Sequence, residues 1–190
     1  MSLVCAYITE HFIIISGDHR RVHIKDNEVF FDDAHKVFSI NDRVIIGYTG
    51  DYDISKKLRE HLEKRGLNDA SPNEVARQCR RWLQRRSKVD TQQRLLIAGL
   101  DDKGKPVIIE LTHDSGYDPV IVTVEPGRMD WRLVFANTCP EPFIEEELAK
   151  IDVLSPEACA ELAKTVNERV AAVDSDVSPA CDVGVLIVGA

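Results

Sequence analysis

The sequence predicts an α+β chain built as an αββα four-layer sandwich, two stacked antiparallel sheets between two layers of helices. Three observations lead there. Runs such as Ile13-Ile14-Ile15-Ser16 and Val44-Ile45-Ile46-Gly47 are apolar almost without interruption, as strands covered on both faces are. Helical segments come in pairs, one pair after each group of strands. The links between successive strands are short and polar, which suits hairpins and not βαβ crossovers.

Taken in order, residues 3–9 (LVCAYIT) and 12–17 (FIIISG) read as strands joined by a tight turn at Glu10-His11. Further strands are predicted over 28–31, 35–40 and 43–49. A helix over about 53–65 places Ile54, Leu58 and Leu62 on one face at i, i+4, i+8, with Gly66 as its stop. The next helix opens on Ser71-Pro72-Asn73-Glu74, a capping box with proline at the first helical position. Its inner stripe is Val75, Cys79, Trp82 and Leu83, and its outer face carries Arg77, Arg80, Arg81, Arg85, Arg86 and Lys88. Strands return over 93–100, 105–111, 119–124 and 132–136, the first two joined by a hairpin turn at Asp101-Asp102-Lys103-Gly104. Two more helices follow, over about 141–150 and 156–172. The second starts at Ser155-Pro156-Glu157 and buries Cys159, Leu162, Ala163, Val166 and Val170. A last strand spans 183–188. No repeat or linker divides the chain, so residues 1–190 are expected to form one domain.

Composition narrows the function. A net charge of -8 and a pI near 5.3 argue against a general polyanion binder. The arginine-rich helix face has no interleaved aromatics of the kind that stack on bases, so it reads as a solvated or subunit-contacting face and nucleic acid is not an expected partner. Cys5, Cys79, Cys139, Cys159 and Cys181 are spread without a CxxC pair, a pattern of reduced thiols and a cytoplasmic setting. No apolar run approaches the ~20 residues of a membrane span, and residues 1–9 lack the basic head of a signal peptide. His19, His23 and His35 raise the question of a metal. Strand alternation puts His19 and His23 on one side, but no carboxylate-supported set is evident, so neither metal nor cofactor is expected.

The stretch FIIISGDHRRV, residues 12–22, carries a sharper question, because a buried strand runs straight into Asp18 and three basic residues. A strand surfacing into a polar turn explains it, and so does a catalytic site near the start of the chain. The segments LVCAYITEHFIIISGDHRR, HKVFSINDRVIIGYTG and RLLIAGLDDKGKPVIIELTHDSG resemble the N-terminal blocks of proteasome-type subunits. That family takes in the proteasome β subunits, the bacterial HslV protease and related bacterial homologues. They are N-terminal nucleophile hydrolases, whose fold is αββα.

The resemblance implies roles for particular residues. Ser2 falls at the position of the family's N-terminal nucleophile, Lys36 at its catalytic lysine, and Asp18 at the aspartate that pairs with that lysine. Gly50 falls where a backbone N–H forms the oxyanion hole. Arg20 matches the arginine after the aspartate, Val22 stands where a threonine binds the substrate backbone, and Tyr48 falls on a position lining the first substrate pocket. The chemistry needs these types. A hydroxyl requires an adjacent base, and a free α-amine on the same residue supplies one. A lysinium nearby lowers that amine's pKa, while a buried aspartate holds the lysine charged and in place. The plainer readings are a structural Asp18–Lys36 ion pair, and for Cys5 a small buried hydrophobe.

The departures from the family pattern are specific. Serine replaces threonine as nucleophile, Val22 replaces a threonine, and Ala136-Asn137-Thr138 stands where Gly-Ser-Gly is usual. The late Asp-x-x-Ser element is blurred among Asp174, Asp176 and Ser178. With Met1 attached Ser2 has no free amine, whereas removal of the initiator methionine before a small residue would expose it. Two functions compete on this reading. One is a serine/threonine-type endopeptidase or amide hydrolase in a self-compartmentalised, ring-like homo-oligomer. The other is a catalytically silent scaffold or binding subunit of the same fold.

Overall fold

The computed structural model describes residues 2–23, 29–86, 92–135 and 137–189. Along the chain stand β1 (Leu3–Thr9), β2 (Phe12–Asp18), β3 (Arg20–His23), β4 (Val29–Asp32), β5 (Val37–Asn41) and β6 (Val44–Thr49). Then come α1 (Tyr52–Glu63), α2 (Pro72–Arg86), β7 (Arg94–Leu100), β8 (Pro106–Thr112), β9 (Val120–Val122) and β10 (Met129–Phe135). The chain finishes with α3 (Glu141–Leu148), α4 (Pro156–Ala171) and β11 (Cys181–Ile187). One sheet has the order β10-β1-β2-β11, the other β5-β6-β7-β8-β9, both antiparallel throughout, and β3-β4 forms a separate hairpin.

The continuous apolar runs follow from this stacking, because successive side chains of one strand enter different cores. Val4, Ala6 and Ile8 of β1 meet Ile45, Leu96, Ala98 and Ile108 between the sheets. Leu3, Cys5 and Tyr7 of the same strand face Ile144, Cys159, Leu162 and Val166 of α3 and α4. In β6, Val44, Ile46 and Tyr48 face Leu58, Leu62, Val75, Cys79, Trp82 and Leu83 of α1 and α2. The expected inner stripes of α2 and α4 are therefore the buried ones.

Local signals act largely as anticipated. Thr9 Oγ1 closes the β1–β2 turn by accepting from the backbone N–H groups of His11 and Phe12 at 3.2 and 3.0 Å. Ser155 caps α4, its Oγ accepting from Ala158 N–H at 3.1 Å. In the first turn of α2 the Glu74 carboxylate accepts from Gln78 Nε2 at 2.9 Å and from Arg77. Strand β3 was not anticipated, because Arg20-Arg21-Val22-His23 has no apolar alternation. It forms by pairing Arg20 with Asp32 and His23 with Val29. The strand predicted over 35–40 begins at Val37, and the one predicted from residue 132 begins earlier, at Met129. Met1, Glu28, Lys88 and Ala136 lie outside the described residues.

Close approach of the sheets positions the site. A Cβ on Gly47 would stand 2.5 Å from Val4 Cγ1 and 2.9 Å from Ile15 Cδ1. One on Gly17 would stand 2.9 Å from Val37 Cγ2 and 3.2 Å from Lys36 Cβ. Only hydrogen at these two positions lets β5–β6 lie directly on β1–β2. Gly47→Ala is expected to lower stability by about 1–3 kcal/mol through overpacking, read as the urea midpoint; an unchanged midpoint would contradict the close approach.

Candidate active site

Asp18 ends β2 and has no solvent exposure. Its Oδ1 accepts from Lys36 Nζ and from the backbone N–H of Leu3, both at 2.7 Å. Its Oδ2 accepts from the N–H groups of Arg20 at 2.8 Å and Ser178 at 3.3 Å. The topology brings these donors together. Val4 pairs with Gly17, so the start of β1 lies across from the end of β2. Cys181 pairs with Asp18, which draws in the segment leading to β11. Tyr48 N–H donates to Lys36 O at 3.0 Å, fixing Lys36 beside the end of β6.

A carboxylate removed from water costs several kcal/mol unless its oxygens are satisfied. Here four donors, one of them cationic, satisfy it. Lys36 is 3% exposed. Burial pushes its ammonium below the ordinary lysine value, and the charge of Asp18 and its hydrogen bond pull it back upward. The ion pair with Asp18 thus holds the lysine head group at a fixed point.

Ser2, 5% exposed, directly precedes the Leu3 N–H that Asp18 anchors. Gly50 follows β6 at φ +110°, and a Cβ there would stand 2.6 Å from Gln92 O and 2.7 Å from Gln93 Oε1. The turn therefore demands glycine. Gln93 pins the same turn by donating from Nε2 to Asp51 O at 2.6 Å and accepting from Ser55 Oγ at 3.3 Å. Sequence reasoning passed over Gln93, although its burial at the start of β7 makes it the support of this turn.

The other anticipated residues fall into distinct places. The Arg20 guanidinium binds Asp32 through two 2.8 Å bonds and Ser175 O at 2.7 Å, tying β4 to the segment before β11. Val22 lies in β3 opposite Phe30, and its side chain lies outside the described residues. The ring of Tyr48, 6% exposed, packs beside Phe38 in the core under α1 and α2, with ring centroids 6.3 Å apart. Ser178 is the member of the blurred late element that touches Asp18. Asp174 instead accepts from Thr138 N–H at 3.2 Å, and Asp176 accepts from Asn137 Nδ2 at 2.9 Å. Burial raises the Cys5 thiol to about 12, so it stays protonated and inert. One expectation is corrected, that the histidines lack a supporting carboxylate. His19 and His35 both reach Asp182, across separations that strand alternation alone does not reveal.

Two antiparallel sheets between helix pairs are the fold of the N-terminal nucleophile hydrolase class, and a buried aspartate–lysine pair lies beside the start of its first strand. The proteasome subunit family model matches residues 2–122, and the chain belongs to that family. The fold is similar to that of HslV from Trypanosoma brucei, with a TM-score of 0.63, 19% identity, and coverage of 97% of this chain and 99% of that one. It is also similar to the Anbu complex of Pseudomonas aeruginosa, solved as a helical assembly, with a TM-score of 0.74 and 15% identity. That alignment covers 97% of this chain and 81% of the other. No curated protein matches the sequence. Among the described residues no helix is long and apolar enough to cross a membrane.

Removing Asp18 strands a buried ammonium and three backbone N–H groups. Asp18→Ala is expected to destabilise the protein by roughly 3–5 kcal/mol, and Lys36→Met by less, because the carboxylate keeps its backbone donors. Denaturant unfolding of both variants checks this, and a reversed order would contradict it.

Proposed function

We propose that the chain is the subunit of an N-terminal nucleophile peptidase or amide hydrolase with Ser2 Oγ as nucleophile. The observation that carries this reading is shared anchoring: Lys36 Nζ and the N–H that follows Ser2 both lie 2.7 Å from Asp18 Oδ1. Once Ser2 is the first residue, its α-amine takes the proton as Oγ attacks a substrate carbonyl. The resulting oxyanion accepts from the Gly50 N–H, a kind of contact worth about 3 kcal/mol in other acyl-transfer enzymes. The α-ammonium then protonates the departing amine, leaving an ester on Ser2. Water, deprotonated by the same amine, hydrolyses that ester and regenerates the hydroxyl. Lys36 lowers the amine's pKa by its charge and Asp18 keeps Lys36 in position. Arg20 contributes by bracing the Asp18 segment, while roles for Val22 and Tyr48 in substrate binding rest on their positions in the family pattern.

The chain works as a homo-oligomer on this reading. The outer strands β9 and β11 carry exposed Val120, Ile121, Val185 and Ile187, and apolar edge strands call for cover. The helical assembly of the similarly folded Anbu complex supports the same direction.

With Met1 removed, the protein is expected to hydrolyse a small peptide or amide substrate. Ser2→Ala and Lys36→Ala are each expected to abolish turnover while light scattering shows the oligomer intact. The rate should rise as the α-amine deprotonates, near or below its ordinary ~7.7–8.0. It should fall again as Lys36 loses its proton, at a pH below the 10.5 of an ordinary lysine. A native chain that retains Met1, or a Lys36→Ala variant as active as its parent, would favour a silent scaffold or binding subunit instead.

A further inference from the structure

We propose that His19, His35 and Asp182 form a binding site for a divalent first-row transition-metal ion. Asp182 Oδ1 lies 3.0 Å from His19 Nε2, and Asp182 Oδ2 lies 2.9 Å from His35 Nδ1. One ligand atom from each residue can be chosen so that all lie within 4.8 Å of one another. Donors around a tetrahedral zinc ion at the usual bond lengths stand about 3.3 Å apart. The three groups converge on one point, and a small inward movement, with the His35–Asp182 hydrogen bond given up, would bring them to the spacing an ion imposes. The imidazole rings meet edge to face with centroids 5.1 Å apart, so the two histidines sit side by side over Asp182.

A second observation points to a ligand. His19 Nε2 is shielded from solvent, and its contact with Asp182 lacks the alignment of a hydrogen bond. A buried imidazole nitrogen is thus left without a hydrogen-bond partner, 3.0 Å from a carboxylate oxygen, with a lone pair that an ion's coordination would satisfy. The chemistry of the set is selective, because two imidazoles with one carboxylate suit zinc, cobalt, nickel and copper, whereas calcium and magnesium favour all-oxygen sites. The site is open to solvent, with the His35 side chain 66% and the Asp182 side chain 33% exposed, so an ion can enter and keep water ligands.

The position gives the site its consequence. His19 follows Asp18, His35 precedes Lys36, and Asp182 follows Cys181, which pairs with Asp18. An ion here would clip together the end of β2, the approach to β5 and the start of β11, the segments that converge on Asp18. Occupancy is thus expected to stabilise the folded chain by linkage.

The test uses untagged full-length protein titrated with Zn2+ alone, and with Co2+ alone for its visible absorption. The expected result is one Zn2+ per chain by calorimetry, with a raised melting temperature that a chelator reverses. His35→Ala and Asp182→Asn, both at exposed or half-exposed positions, should each weaken binding at least about tenfold. Absence of binding at millimolar Zn2+ would overturn the proposal and leave the three groups as a hydrogen-bonded surface cluster. One equivalent of Zn2+ retained unchanged by both variants would also overturn it, placing the ion elsewhere on the chain. Equal binding of Mg2+ would overturn it as well.

Discussion

A buried carboxylate has to be satisfied on both oxygens, and at Asp18 that requirement draws together distant parts of the chain. The first strand contributes the Leu3 N–H, the approach to β5 contributes Lys36, and the turn into β3 contributes the Arg20 N–H. The segment before β11 contributes Ser178, 160 residues away in sequence. The buried donors, Leu3 N–H, Ser178 N–H and Lys36 Nζ, need the carboxylate as much as it needs them, because they too are removed from water. The site and the closure of this end of the fold are one structure.

Satisfying Asp18 depends in turn on how near the two sheets come. The side-chain-free positions Gly17 and Gly47 set that distance, and Lys36 reaches Asp18 directly over Gly17. Two-sided burial of β1, β2 and β6 then fills the inner core and the two helix-facing cores with alternate residues of the same strands. Packing between the sheets therefore places the ion pair, and the ion pair fixes the start of β1, where Ser2 stands.

Much of this was legible in the sequence because it is local or periodic. Uninterrupted apolar runs report strands covered on both faces. The Val75, Cys79, Trp82, Leu83 stripe and the Ser155-Pro156 start report helices with one buried side. Asp18, Lys36 and Gly50 stood out through resemblance to a family whose chemistry fixes their order and spacing. What escaped is non-local or carried by backbone. The Ser178 N–H bond to Asp18, the Gln93 clamp on the Gly50 turn and the meeting of His35 with Asp182 join residues far apart along the chain. Strand β3 escaped for a different reason, since its four residues are held by pairing with β4 and show no apolar alternation.

Amide hydrogen exchange at Leu3, Arg20 and Ser178, compared between the parent and Asp18→Ala, tests most directly whether one carboxylate unites these segments. The account predicts that all three amides lose protection together, by about tenfold or more as befits loss of a charge-assisted hydrogen bond, relative to amides of β7 and β8. Parental protection at Leu3 and Ser178 in the variant would contradict it.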